Sequence, residues 1–231
     1  MKIRVISGFE GVCPFEKPFL ETVSKWCAIH GYEFCPEFGA RGEIFKHPKG
    51  YWWGKVGLIK KHLPECDYLL WIDADCIAIN LNRGLDEITS RMSNWGGVIA
   101  LTEEEVLETG VILFRNAPAT NYIIHEWENY CDAKTTNDPN VYLNNNHEVL
   151  IRMLNEQSVW DDIVLKLSNT DFTIKHVHMA DRTDKTLFMH CPGSTITDKI
   201  YYMEKYAKQF DIREDVYASY INLDHRRDRL A

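Results

Sequence analysis

The segment Asp67-Tyr-Leu-Leu-Trp-Ile72 constrains this chain more than any other. It is a continuous apolar run without alternation, the pattern of a strand covered on both faces inside a parallel α/β sheet. The run passes directly into Asp73-Ala-Asp-Cys76, so two carboxylates stand where such a strand ends. A carboxylate at the edge of an apolar core is costly unless its charge is compensated, and two of them one residue apart repel. Residues i and i+2 of an extended chain point the same way, so Asp73 and Asp75 can converge on one ion. A divalent cation relieves both costs, since hard ions such as Mg2+ or Mn2+ take carboxylate oxygens and keep positions open for phosphate. The carboxyl ends of strands in open α/β sheets are also where ligands bind. An Asp-x-Asp turn has a plainer reading too, because Asp side chains in turns commonly cap backbone amides.

Strand-like and helix-like segments alternate around this run, which argues for an α/β domain. Residues 2–7 read as a first strand ending at Ser7-Gly8. A helix follows from Pro18 to His30, with Phe19, Val23, Trp26 and Cys27 on one stripe and Gly31 as its stop. Residues 32–35 form a short strand, and residues 36–53, rich in Gly, Pro and aromatics, a long loop of the kind that is commonly functional. The helix from Lys55 to Leu63 turns Val56, Ile59 and Leu63 inward. Beyond the acidic turn, a helix is expected at 84–92, strands at 98–101 and 110–114, and a helix at 119–131. A polar loop follows at 133–145, then a helix carrying Val149, Leu150, Met153 and Leu154. Late strands are expected at 172–177 and 187–189. A last helix starts near Thr195, with Ile196, Ile200, Met203, Ala207 and Phe210 on one stripe.

Composition narrows the function classes. The formal charge is −8, from 34 acidic and 26 basic side chains, and a negative surface without a basic patch disfavours nucleic acid as a partner. The 7 cysteines are odd in number and contain no C-x-x-C pair. That indicates reduced, mostly buried thiols and a cytoplasmic compartment, with neither a zinc site nor a disulfide framework. No segment has the length and apolarity of a membrane span.

With these motifs in view, the chain resembles a known family. Tyr51-Trp-Trp-Gly-Lys55, the helix to Leu63 and Asp67-Tyr-Leu-Leu-Trp-Ile-Asp-Ala-Asp75 look like the signature block of GT-A glycosyltransferases. The nearest likeness is to the galactosyl/xylosyl/mannosyltransferases of family 34, related to yeast mannan and plant xyloglucan enzymes. Glu108-Thr-Gly-Val-Ile-Leu-Phe-Arg-Asn116, His147-Glu-Val-Leu-Ile-Arg-Met-Leu154 and Phe188-Met-His-Cys-Pro-Gly193 are similar, in order, to three further family segments. The resemblance implies a GT-A (nucleotide-diphospho-sugar transferase) fold, a single Rossmann-like, mostly parallel sheet flanked by helices. It implies transfer of a hexose-type sugar from a nucleotide-diphosphate donor, UDP favoured over GDP, to a glycan acceptor, metal-dependent and with retention. Asp73, Asp75 and His190 would hold Mn2+ (or Mg2+). Ser7, Gly8, Lys55, Asp73, Ala74, Gly193 and Lys199 would bind the nucleotide-sugar. Asp75 and Glu148 would serve catalysis, Glu148 standing where the family has Gln beneath the sugar ring. Glu108 replaces a common family Asn. The expected enzyme is soluble, of a bacterial or large-virus type rather than Golgi-anchored.

The GT-A domain is placed at 1–212 and a tail at 213–231. Within the tail, Tyr217-Ala-Ser-Tyr-Ile-Asn-Leu-Asp-His-Arg-Arg-Asp-Arg229 resembles the start of a family 25 type glycosyltransferase, which implies a further transferase domain C-terminal to this one. Two other readings compete. A haloacid-dehalogenase-type phosphatase also places an Asp-x-Asp after an apolar strand, with Asp73 as nucleophile and Asp75 as acid/base. A carbohydrate-binding module with a vestigial turn needs no catalysis at all.

Overall fold

The structure is a computed structural model that describes residues 1–50, 53–103, 107–134, 146–156 and 158–209. The proposed tail, Tyr51, Trp52 and most of the expected polar loop lie outside the described residues. In chain order the elements are β1 (Ile3–Glu10), α1 (Glu16–His30), β2 (Glu33–Gly39), α2 (Gly54–His62), β3 (Tyr68–Ile72), β4 (Cys76–Ala78) and α3 (Asp86–Trp95). Then come β5 (Ile99–Glu103), β6 (Leu107–Arg115), α4 (Pro118–Lys134), α5 (Asn146–Glu156), β7 (Val164–Ser168), β8 (Thr173–Lys175), β9 (Phe188–His190) and α6 (Ile196–Gln209).

A six-stranded sheet in the order β2-β1-β3-β6-β5-β7 forms the spine of the molecule. Only β6 opposes its neighbours: it pairs antiparallel with β3 and β5, while the other three pairings are parallel. Successive strand residues point to opposite faces, and both faces here are covered. Val5, Leu70, Ile72, Val111 and Leu113 pack with Phe19, Val23 and Trp26 of α1, Ile88 and Met92 of α3, and Met203 of α6. Ile6, Leu69, Trp71, Ile112 and Phe114 pack on the other side with Val56 and Ile59 of α2, Trp127 of α4, and Leu150 and Met153 of α5. This two-sided burial is why β3 reads as an uninterrupted apolar run. Helix α1 ends where expected, at Gly31, whose φ of 68° is a left-handed conformation that a glycine adopts without strain.

Beside the main sheet lies a second one of three strands, β4-β9-β8. The sequence-based expectations contain neither β4 nor β7, and they treat β8 and β9 as isolated late strands. The small sheet matters through its register: Cys76 pairs with His190 across β4 and β9, and Lys175 pairs with His190 across β8 and β9.

At the other end of β1, buried Arg4 forks onto Glu33 of β2, with Nε 2.9 Å from Oε2 and Nη2 3.0 Å from Oε1, and also reaches Glu65. The hydrogen bonds from Arg4 hold the Glu33 carboxyl at about 2, against an ordinary 4.5. A carboxyl lowered in the folded state adds stability that is present above its unfolded pKa and fades as the pH falls through the folded one. Because the Glu33 side chain is 40% exposed, solvent screening limits that contribution to about 1 kcal/mol. Glu33→Gln is therefore expected to melt ~2–4 °C below the wild type at neutral pH. The gap should close as the pH drops from 4.5 toward 2, and a gap that is constant with pH would contradict this account.

Candidate active site

Strand directions decide which residues meet at the acidic turn. The carboxyl ends of β1 and β3 lie together, and β6, running the other way, brings its start to the same edge. The Asp73 N–H donates to the Gly110 carbonyl at 2.7 Å, which seats Glu108, Thr109 and Gly110 beside the Asp-Ala-Asp turn. From the small sheet, the Cys191 N–H donates to the Asp75 carbonyl at 3.1 Å and so delivers His190. These segments enclose a cleft of about 600 Å3, which Gly8, Asp73, Ala74, Asp75, Gly193 and Lys199 line together with Lys55, Glu108, His147 and His190.

Each aspartate has its own cation. Lys55, buried at the start of α2, places its Nζ 2.8 Å from Asp73 Oδ1. The same Nζ donates to the Thr109 carbonyl at 3.0 Å and lies over the Trp71 ring. The Trp71 indole N–H also donates to Asp73 Oδ1, at 2.5 Å. Asp75 receives Lys199 Nζ from α6 on Oδ2 at 2.5 Å and faces His190 Nε2 with Oδ1 at 3.3 Å. On the far side of the ring, His190 Nδ1 lies 3.2 Å from Glu108 Oε2, and Lys175 Nζ holds Glu108 Oε1 at 3.0 Å.

The charges reinforce one another. Burial alone would push Asp75 up, but the His190 imidazolium and the Lys199 ammonium hold its carboxyl well below the usual range. Burial would likewise lower His190, yet the Asp75 carboxylate, with help from Glu108, raises it to about 9. Glu108 is held low in spite of burial by His190 and Lys175. His147 goes the other way: burial lowers it toward the neutral imidazole, and its Nδ1 meets Thr109 Oγ1 at 2.6 Å.

The fold family implies a divalent cation, and the donors present suit one. Asp75 Oδ1 and His190 Nε2 both line the cleft, and their 3.3 Å separation is near the roughly 3 Å expected for adjacent ligands about 2.1 Å from one ion. A carboxylate oxygen and an imidazole nitrogen are both ligands for a divalent cation. Cys76 Sγ completes a cluster of three possible donors within 4.8 Å. Burial, with the neighbouring Asp75 carboxylate, pushes its thiol far up. Asp73 stands outside that cluster, turned to Lys55 and Trp71.

Of the residues singled out from sequence, Gly8, Lys55, Asp73, Ala74, Asp75, His190, Gly193 and Lys199 all meet in the cleft. Ser7 is fully buried behind it, and its Oγ has no hydrogen-bond partner among the described residues. Glu148 is exposed on the first turn of α5 and does not line the cleft, whereas its neighbours Asn146 and His147 do. The parts that Glu108, Thr109, His147 and Lys175 play were not foreseen. Among them only Glu108 carried a signal, its departure from the family Asn.

This architecture is that of solved GT-A glycosyltransferases. One similar structure is a glycosyltransferase involved in the glycosylation of the major capsid of PBCV-1, with a TM-score of 0.65 and 16% identity over 89% of this chain and 100% of that one. Another is the bifunctional glycosyltransferase WbbM, at 0.56 and 12% over 91% of this chain; the chain spans only 51% of WbbM. A third is mouse xyloside xylosyltransferase 1, at 0.51 and 10% over 84% of this chain and 98% of that one. No protein-family model matches the chain, and no curated protein does. Among the described residues no helix is long and apolar enough to cross a membrane.

Proposed function

We propose that this chain is a metal-dependent glycosyltransferase that moves a hexose-type sugar from a nucleotide-diphosphate donor to a glycan acceptor. One observation carries the reading. At the carboxyl end of a buried strand, Asp75 and His190 face each other across 3.3 Å inside the cleft, with Lys199 and Lys55 beside them. Cleaving the anomeric C–O bond builds positive charge on the sugar and negative charge on the departing diphosphate. Catalysis then depends on cationic groups placed in advance where that negative charge develops. Asp75 and His190, with Asp73 adjoining, would hold Mn2+ (or Mg2+), which when bound supplies Lewis-acid stabilisation of the diphosphate. Lys199, now paired with Asp75 at 2.5 Å, would be free to pair with phosphate oxygens if a cation engaged that carboxylate. Lys55 fixes Asp73 and the turn, so the ligands need not reorganise when the donor arrives.

Gly8, at the carboxyl end of β1, is the place for the nucleoside, and exposed Gly193 lets backbone come close to phosphate. The preference for UDP over GDP, the hexose and the retention of configuration rest on the family 34 resemblance. Glu148 has no part in this reading, because it faces solvent. A transferase domain following this one remains an inference from the tail motif.

Thermal-shift titration with UDP and GDP, each with and without Mn2+, is the first test. Stabilisation that requires both nucleotide and metal is expected, followed by release of free nucleotide diphosphate in a donor screen. Metal-dependent nucleotide binding without any slow release of sugar would favour the binding-module reading. Phosphate release from p-nitrophenyl phosphate that disappears in Asp73→Asn would favour the phosphatase.

A further inference from the structure

We propose that Glu108 is the positioning residue that fixes the tautomer and the orientation of His190, so that Nε2 is the nitrogen presented to a divalent cation. This inference rests on the metal part of the proposed function and deepens it.

An imidazole has two different nitrogens, and the partner of one decides what the other can do. At 3.2 Å from His190 Nδ1 stands a carboxylate oxygen of Glu108, and an ionised carboxylate can only accept. Asp75 Oδ1 faces Nε2 in the same way, so without a cation both nitrogens carry protons; with Nε2 given to a cation, the Nδ1 proton would stay on the side of Glu108. The nitrogen left to donate a lone pair is Nε2, on the side of Asp75 and the cleft. An Asn at position 108 would not dictate this, because an amide offers both a donor and an acceptor. The negative charge of Glu108 also makes the ring a better electron donor, as carboxylate partners of metal-bound histidines do elsewhere.

The carboxylate is well placed for the task. Glu108 and His190 are each only 6% exposed, so water competes little for their hydrogen bond. The second oxygen of Glu108 is anchored by Lys175 at 3.0 Å, and the β8–β9 register sets Lys175 directly beside His190. The ring lies close over Gly110, where even a methyl group would come within 2.5 Å of it. Glu108, His190 and Asp75 thus form a line from the β6 strand to the cleft floor, with one charged anchor at its closed end.

The test uses the full chain, with Mn2+ alone and with Mn2+ plus UDP, and measures affinity from the free-ion electron-paramagnetic-resonance signal. Glu108→Gln, which keeps the volume and loses the charge, should weaken Mn2+ binding about 10–100-fold. Lys175→Met, which keeps Glu108 and frees it, should weaken binding less. A purely structural role would not alter protonation, so imidazole 15N shifts provide the second readout. With the diamagnetic Mg2+ bound, Nδ1 of His190 should carry the proton; without metal both nitrogens should be protonated in the wild type, and Glu108→Gln should lower the pH at which one proton is lost. Unchanged Mn2+ affinity and unchanged His190 protonation in Glu108→Gln would overturn the proposal while leaving the metal site standing. A wild-type protein that binds no Mn2+, with or without UDP, would bring down the metal reading and this proposal together.

Discussion

Replacing Asp75 by Asn is expected to lower sugar transfer by at least ~1,000-fold, about 4 kcal/mol of transition-state stabilisation, while the protein stays folded. The size follows from how many functions meet at this side chain. Asp75 offers an oxygen toward the cleft beside His190 and holds Lys199 in reserve with the other. An amide is a weak ligand for a hard cation and carries no charge to hold an ammonium, so both arrangements are lost together. The fold should survive because Asp75 follows β3 instead of packing within it. Its backbone still accepts from the Cys191 N–H, and without its anionic partner His190 can shed its proton. Circular dichroism should match the wild type, Mn2+ should no longer raise the melting temperature in the presence of UDP, and nucleotide diphosphate release should fall to background. Turnover like that of the wild type in Asp75→Asn would exclude Asp75 from the reaction and, with it, the proposed mechanism.

How much of this was legible in the sequence differs from residue to residue, for physical reasons. Strand β3 was plain because burial on both faces leaves an unbroken apolar run, and the acids that follow it could only mark its end. Strand β4 is only three residues long, too short for any periodicity to show. The register that sets His190 between Cys76 and Lys175 is a long-range pairing that no local pattern encodes. Glu108 was noticed only as a departure from a motif, since its place beside His190 depends on β6 running against its neighbours. Glu148 is more instructive. A helix turns about 100° per residue, so Glu148 is exposed while its neighbour His147 lines the cleft. The apolar stripe of α5, Val149, Leu150, Met153 and Leu154, already set the phase and turned Glu148 to the solvent side with Arg152 and Asn155.

Replacing Gly110 by Ala should disable the site, although it adds only one uncharged methyl group. Gly110 lies where the β5–β6 register shifts, but it is not among the glycines of positive φ, so alanine's backbone is accommodated and the effect is steric. An ideal Cβ would stand 2.5 Å from His190 Cε1 and 2.6 Å from Nδ1, and some atom has to move. Neither side yields easily. Strand β6 is tied down by the Asp73 N–H on the Gly110 carbonyl at 2.7 Å, and the ring is fixed between Asp75 and Glu108. Overpacking of this kind costs about 1–3 kcal/mol, a fall in melting temperature on the order of 5 °C for a chain of this size. A ring displaced by about 1 Å should cost transfer roughly 100-fold and weaken Mn2+ binding with it. Gly57→Ala is the control for glycine replacement itself: position 57 lies inside α2 with nothing within 4 Å of an added Cβ. There the better helix former should stabilise by about 0.5–1 kcal/mol and leave transfer unchanged. If Gly110→Ala instead keeps full stability and full activity, the His190 ring does not lie against β6, and the line from Glu108 through His190 to Asp75 loses the packing that holds it.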